Sequence, residues 1–145
     1  MANEVPYAFP VELLSGTHNF ASDTFKLALY TATPYTTAST VYVATTESSG
    51  TEYSAGGNTL AGNAVSNVAD IATVDFTDSV WGSPTPATFS AAYGAIYNSS
   101  ESNKLIVILD FGGTKACSNG TFTVTFPDPT SGSPSGADAL LSITS

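Results

Sequence analysis

The sequence predicts an all-β fold, an antiparallel β-sandwich or jelly roll built as a single domain with an extended N-terminal arm. Three observations predict it. Apolar residues recur at every second position far more often than at helical spacing. Turn-forming Gly, Pro and Asn residues punctuate the chain at short intervals. Its 145 residues suffice for one core without disulfide or metal staples.

The clearest strand is residues 121–126, Thr-Phe-Thr-Val-Thr-Phe, whose alternation puts Phe122, Val124 and Phe126 on a buried face and three threonines outward. Residues 25–30 alternate similarly, with Phe25, Leu27 and Leu29 inward, and residues 71–76 read as a third strand. Residues 105–111 are apolar on both faces until Asp110, which marks a central strand or one covered by a further layer such as a partner subunit. Residues 91–97 and 105–111 are expected to form a hairpin through the 98–104 loop, with 121–126 as the next strand. Residues 41–45 and 140–144 bring the total to about seven or eight short strands, a sandwich count. Pro34, Gly56-Gly57, residues 82–86, Gly112-Gly113 and Asn119-Gly120 supply turns, and residues 127–136 read as an irregular connection. The predicted core is Phe25, Leu27, Leu29, Ile106, Ile108, Phe122, Val124 and Phe126.

Residues 5–11, Val-Pro-Tyr-Ala-Phe-Pro-Val, stand apart. Two prolines remove ladder donors and oppose an ordinary helix, so residues 1–20 read as an extended arm preceding a sandwich domain over 21–145. Such an apolar strip must pack on its own domain or dock on a neighbour, which makes Tyr7 and Phe9 candidate partner-docking residues.

Composition restricts the chemistry further. Arginine is absent, Lys26, Lys104 and Lys115 are scattered, and the net charge is −9. Nucleic acids and anionic membrane surfaces are therefore poor partners, because binding them requires clustered cations. Ser and Thr make up more than a quarter of the chain while charged residues make up 10%. A surface of this kind loses little on desolvation when a partner covers it. The lone Cys117 cannot form an internal disulfide or a cysteine metal site and reads as a small loop residue. No basic-apolar leader and no membrane-length apolar run is visible, as expected of a soluble, unexported chain.

His18 is the sole histidine, and no Gly-x-Ser-x-Gly elbow accompanies it, so it reads as a polar loop residue and not as a triad member. A pairing with Cys117 lacks an activating context. Asp75, Asp78 and Asp110 permit a two-carboxylate hydrolase; the competing reading has Asp75 facing outward and Asp110 capping a strand end. No calcium loop or phosphate-binding glycine cradle is present. Tyr7, Phe9, Tyr30, Tyr35, Tyr42, Tyr53, Trp81, Tyr93 and Tyr97 would form a sugar-stacking platform if gathered on one face, but strand aromatics are more often core, with Trp81 closing a corner. The expectation is a protein without catalytic residues, cofactor or metal.

The order of several phrases resembles a known family: Phe-Lys-Leu-Ala-Leu-Tyr-Thr at 25–31, Thr-Glu-Tyr-Ser-Ala-Gly-Gly-Asn-Thr-Leu at 51–60, Val-Asp-Phe at 74–76 with Val80-Trp81, Ala-Tyr-Gly-Ala-Ile-Tyr-Asn at 92–98, Leu-Asp-Phe-Gly at 109–112 and Gly-Thr-Phe-Thr-Val at 120–124. Together they are similar to small virion structural proteins of tailed bacteriophages, some of them capsid decoration, or cement, proteins. The resemblance covers about two-thirds of the chain and excludes the N-terminal arm and the tail from 127 onward. It implies a particle component made in the host cytoplasm; the acidic balance fits a place on the capsid exterior, in contact with the major capsid protein and itself, with a homotrimer as the expected unit. A tail- or fibre-associated glycan- or receptor-binding module is the alternative.

Overall fold

In the computed structural model, residues 2–68, 71–127 and 140–144 are described. Among them, nine strands and one short helix follow in the order α1 (Ala8–Leu14), β1 (Phe25–Tyr30), β2 (Asn58–Thr59), β3 (Ala64–Val68), β4 (Ile71–Asp75), β5 (Ser79–Trp81), β6 (Ala87–Asn98), β7 (Lys104–Gly120), β8 (Phe122–Val124) and β9 (Leu141–Thr144). The chain is mostly β, every pairing is antiparallel, and no sheet described closes into a barrel.

The main sheet runs β2-β1-β6-β7. Its β1–β6 pairing is regular from Phe25↔Asn98 to Tyr30↔Tyr93. Alternation sends Phe25, Leu27 and Leu29 into one core with Ile96, Ile106, Phe122, Val124 and Phe126, while Ala28 and Tyr30 enter a second core with Ala95, Tyr97, Leu105 and Ile108. The sheet is thus buried on both faces, and all eight predicted core residues are buried. Gly57 lets β2 approach: at φ +71°, a Cβ there would overlap the Leu27 carbonyl and come 2.7 Å from Ala28 Cα. Two smaller sheets, β3-β4-β9 and β5-β8, complete the fold.

The expected hairpin is present as β6 and β7, but β7 is much longer than predicted. Gly112 and Gly113, read as a chain reversal, instead absorb a register shift between Ala91↔Lys115 and Tyr93↔Asp110 while the strand continues. Residues 121–126 contribute only the three-residue β8, which pairs with β5 and not with β7. Residues 41–45 do not form a strand. The Tyr35 hydroxyl accepts the Val43 N–H (3.0 Å) and the Tyr30 hydroxyl donates to the Val43 carbonyl (2.9 Å), so side chains satisfy this backbone and only a bridge at Val41↔Lys104 forms. The irregular connection expected over 127–136 lies, past Pro127, outside the described residues.

Residues 105–109 need no partner subunit to cover them. Their side chains enter the chain's own two cores, and the β7 edge is closed by a reciprocal Glu4–Ile108 backbone pair (2.9 and 2.8 Å) and by Leu105 N–H donating to Thr40 (3.0 Å).

The extended arm is also corrected. Residues 8–14 form α1, with Phe9 buried. The prolines permit it because Pro6 precedes the first turn and Pro10 lies within it, where a helical N–H has no intrahelical acceptor to lose. Phe9, within the helix, and Phe20, beyond it, join the same core as β1, so the N-terminal segment is integrated into the fold.

Candidate binding surface

His18 lies in the loop that follows α1, as expected, and is buried there. Asn98 Nδ2 can only donate, so His18 Nδ1 accepts from it (3.1 Å), and the ring proton sits on Nε2, which donates to Glu12 Oε2 (3.1 Å). Asn98 also donates to Asp23 Oδ2 (2.7 Å) and accepts Ser100 N–H on Oδ1 (3.0 Å), while Glu12 Oε1 receives Lys104 Nζ at 2.5 Å. The chain Lys104–Glu12–His18–Asn98–Asp23 thereby ties α1 and its following loop to both ends of the β6–β7 hairpin turn. Burial alone would raise the Glu12 pKa, but the hydrogen bonds from Lys104 and His18 prevail and hold it below the ordinary glutamate value.

Both His18 nitrogens are therefore engaged. Cys117 is not in a loop: it lies on β7 opposite Phe89, with Sγ 3.5 Å from the Ala87 carbonyl, and does not pair with His18. Asp78 Oδ1 accepts Phe126 N–H (2.9 Å), and Asp110 Oδ1 accepts Gly112 N–H (2.8 Å) at the irregularity within β7, not at a strand end as the sequence suggested. Asp75 is half-buried on β4. Among the described residues, no group of three His, Cys, Asp or Glu side chains is arranged to hold a metal ion.

The aromatic residues gather inward. Of the nine considered, Tyr7 alone is exposed; Trp81 is buried at the end of β5 against Tyr53, Phe89 and Phe122, the corner expected of it. Glu47, which sequence reasoning passed over, organises several tyrosines by accepting from Tyr42 (2.7 Å), Tyr53 (2.8 Å) and Gly56 N–H (2.6 Å). Burial, reinforced by the Glu47 charge, pushes the Tyr97 hydroxyl up to about 12 and raises Tyr30, Tyr42 and Tyr53 as well. These groups remain neutral and structural at any physiological pH.

What remains as a surface able to receive a partner is apolar. The two docking candidates separate: Phe9 packs inside, with its ring 5.4 Å from His18 and 6.2 Å from Phe20, whereas Tyr7 is 72% exposed. Tyr7 shares its face of α1 with Val11 (66% exposed) and Leu14 (90%), at spacing i, i+4, i+7. That spacing was legible in the sequence but masked by the prolines. Leu14 also borders a groove of about 850 Å³ between α1 and the β3-β4-β9 sheet. In register, Val74 pairs with Val65 on one side and Leu141 on the other, and Ala72 pairs with Ile143, so one sheet face presents an apolar wall. Val65 (59%) and Ile143 (61%) stand exposed on it. Among the described residues, no Asp, Glu, Lys or Arg lines the groove.

A second, more polar cleft of about 530 Å³ lies beside the β7 bulge, lined by Asn3, Asp110, Phe111, Lys115, Thr123 and Thr125 among others. Compared with protein-family models, curated proteins and solved structures, the chain matches none of them.

Proposed function

We propose that this chain is a non-enzymatic structural protein of a tailed-phage virion, a decoration protein bound to the outer face of the capsid, with its sheets layered as a β-sandwich. The observation that carries the reading is the exposed apolar surface at α1 and the β3-β4-β9 sheet, whose groove no charged side chain lines among the described residues, on a chain whose His18, Glu12, Glu47 and Asp78 are engaged in holding the fold. Such a molecule acts by adhesion. Burial of apolar area drives the contact, and the hydroxyl-rich rim is covered at low desolvation cost. The net charge of −9 suits an exterior position, away from packaged DNA. The phrases at 25–31, 51–60 and 92–98, similar to those of phage virion proteins, supply the setting.

Quantitative mass spectrometry and cryo-EM of purified particles test it. Hundreds of copies coating the head are expected; absence from particles refutes the virion reading. A few copies confined to the tail would favour the second reading, a tail-associated glycan-binding module. The polar cleft supports that one, since Phe111 offers a partly exposed ring beside Asp110, Lys115 and two threonines. Glycan-induced chemical shifts confined to Phe111 and Thr123 would identify it.

A further inference from the structure

We infer that α1 is held by an acid-sensitive latch, the chain Lys104–Glu12–His18–Asn98–Asp23, and that protonating the latch frees the helix while the sheets stay folded. The helix has little stability of its own. It spans seven residues, short of the roughly 12–15 at which an isolated helix becomes even marginal in water, and its N-cap makes no side-chain bond. No acidic residue in the first turn and no basic one in the last favours the helix dipole. Phe9 is its one buried residue, and toward β3-β4-β9 it borders the open groove of about 850 Å³ instead of a packed layer. Glu12 ties it to the body, through Lys104 on β7 and through His18.

The latch closes in only one protonation state. Asn98 is fully buried and cannot turn its amide over, because Oδ1 accepts Ser100 N–H (3.0 Å) and Nδ2 donates to Asp23 Oδ2 (2.7 Å). It therefore presents a donor to His18 Nδ1, and a second ring proton would set N–H against N–H at a side chain with no exposure. A proton on Glu12 is as disruptive: a carboxylate that accepts from both Lys104 and His18 would carry a donor against donors. The charged groups in contact are Glu12 from α1, Lys104 from β7 and, across Asn98, Asp23 from the turn before β1. Burial works against the Glu12 carboxylate, but the bonds from Lys104 and His18 keep its pKa below the ordinary glutamate value. The Glu12 tie is thus complete above that value and is lost as pH falls through the depressed one.

Amide hydrogen exchange by NMR on the free full-length chain, from neutral pH down through the acid range, tests this independently of the virion reading. The reporters are Ser15, Gly16 and Thr17, whose N–H groups donate to the Val11, Leu13 and Glu12 carbonyls (3.0, 3.1 and 2.9 Å). They are set against the amides of β1 and β6 and the emission of the buried Trp81. As pH falls, the three reporters should lose their protection at a higher pH than that at which Trp81 reports unfolding. Glu12→Gln should bring the release to neutral pH, with exchange at the reporters about tenfold faster than in wild type or more, and Trp81 still buried. At neutral pH the ring ¹⁵N shifts of His18 should show Nε2 protonated and Nδ1 bare. Loss of protection coincident with unfolding, reporters as well protected in Glu12→Gln as in wild type, or a His18 ring protonated on Nδ1 at neutral pH overturns the proposal. Should Glu12→Gln not fold, the wild-type acid series and the His18 ring spectrum decide by themselves.

Discussion

Gly57→Ala and Gly112→Ala are a matched pair that separates backbone strain from steric exclusion. Both glycines have nearly the same positive φ, +71° and +69°. At Gly112 nothing lies within 4 Å of a built Cβ, so alanine there should cost only the left-handed conformational penalty, about 1–2 kcal/mol. At Gly57 the same penalty applies, but the methyl also overlaps the Leu27 carbonyl and crowds Ala28 Cα on β1, a central strand that cannot yield. Relief requires β2 to move off, which threatens the pairs Lys26↔Thr59 and Leu27↔Asn58 and the Leu60 N–H bond to Phe25 O at 2.8 Å. With each hydrogen bond contributing about 0.5–1.5 kcal/mol net, the total for Gly57→Ala comes to about 3–6 kcal/mol. Urea unfolding followed through Trp81, the one tryptophan and a buried reporter, measures both. Equal losses for the two variants would refute the claim that β2 is pressed against β1 through Gly57.

Phe25 is fully buried, stacked on Phe20 at 4.8 Å and 5.5 Å from Phe76, so Phe25→Ala should cost about 3–5 kcal/mol by the same unfolding assay. Because the folded state holds Glu12 below its ordinary pKa, its contribution is complete above that ordinary value and is lost as pH falls through the depressed one. Glu12→Gln should therefore flatten the acid limb of the stability curve, and an unchanged limb would remove Glu12 from the account. Spectrophotometric titration should find Tyr97 ionising only near 12, with Tyr30, Tyr42 and Tyr53 also displaced upward; a full tyrosine transition near 10 in the folded protein would contradict their burial. No salt-sensitive gel shift with DNA or RNA is expected at physiological ionic strength, given three lysines that do not cluster in sequence and no arginine.

The legible parts of the fold were those written in local alternation. Phe25, Leu27 and Leu29 announce β1, and Phe122, Val124 and Phe126 announce a buried face, because a half-buried strand imposes its period on neighbouring residues. Alternation says nothing about pairing, so the partnership of β8 with β5 had no local sign. Nor did it reveal that Ala28 and Tyr30, opposite Phe25 and Leu27, enter a second core, since small and amphipathic residues serve either environment. The helix was missed because Pro6 and Pro10 were weighed by identity and not by position; a first-turn proline is compatible with a helix and an interior one is not. The polar network was out of reach: His18 meets Asn98 across 80 positions, and only the folded topology brings them together. At the candidate surface Tyr7 was legible, while Leu14, Val65 and Ile143 became significant only when three elements converged.

The closure of β7 by the N-terminal residues bears on how the protein behaves in concentrated solution. An uncovered strand edge is a row of free donors and acceptors on which other chains polymerise, and proteins that persist at high concentration keep such rows blocked. Here the blocking piece is Glu4, clipped to Ile108 by two main-chain bonds, with the Asn3 side chain accepting from Asp110 N–H beside it. A few residues at one end of the chain thus act as a selvedge, finishing the border of the main sheet so that it does not fray into fibres; trimmed by a protease just past Glu4, the same protein would keep its cores yet lose its shelf life.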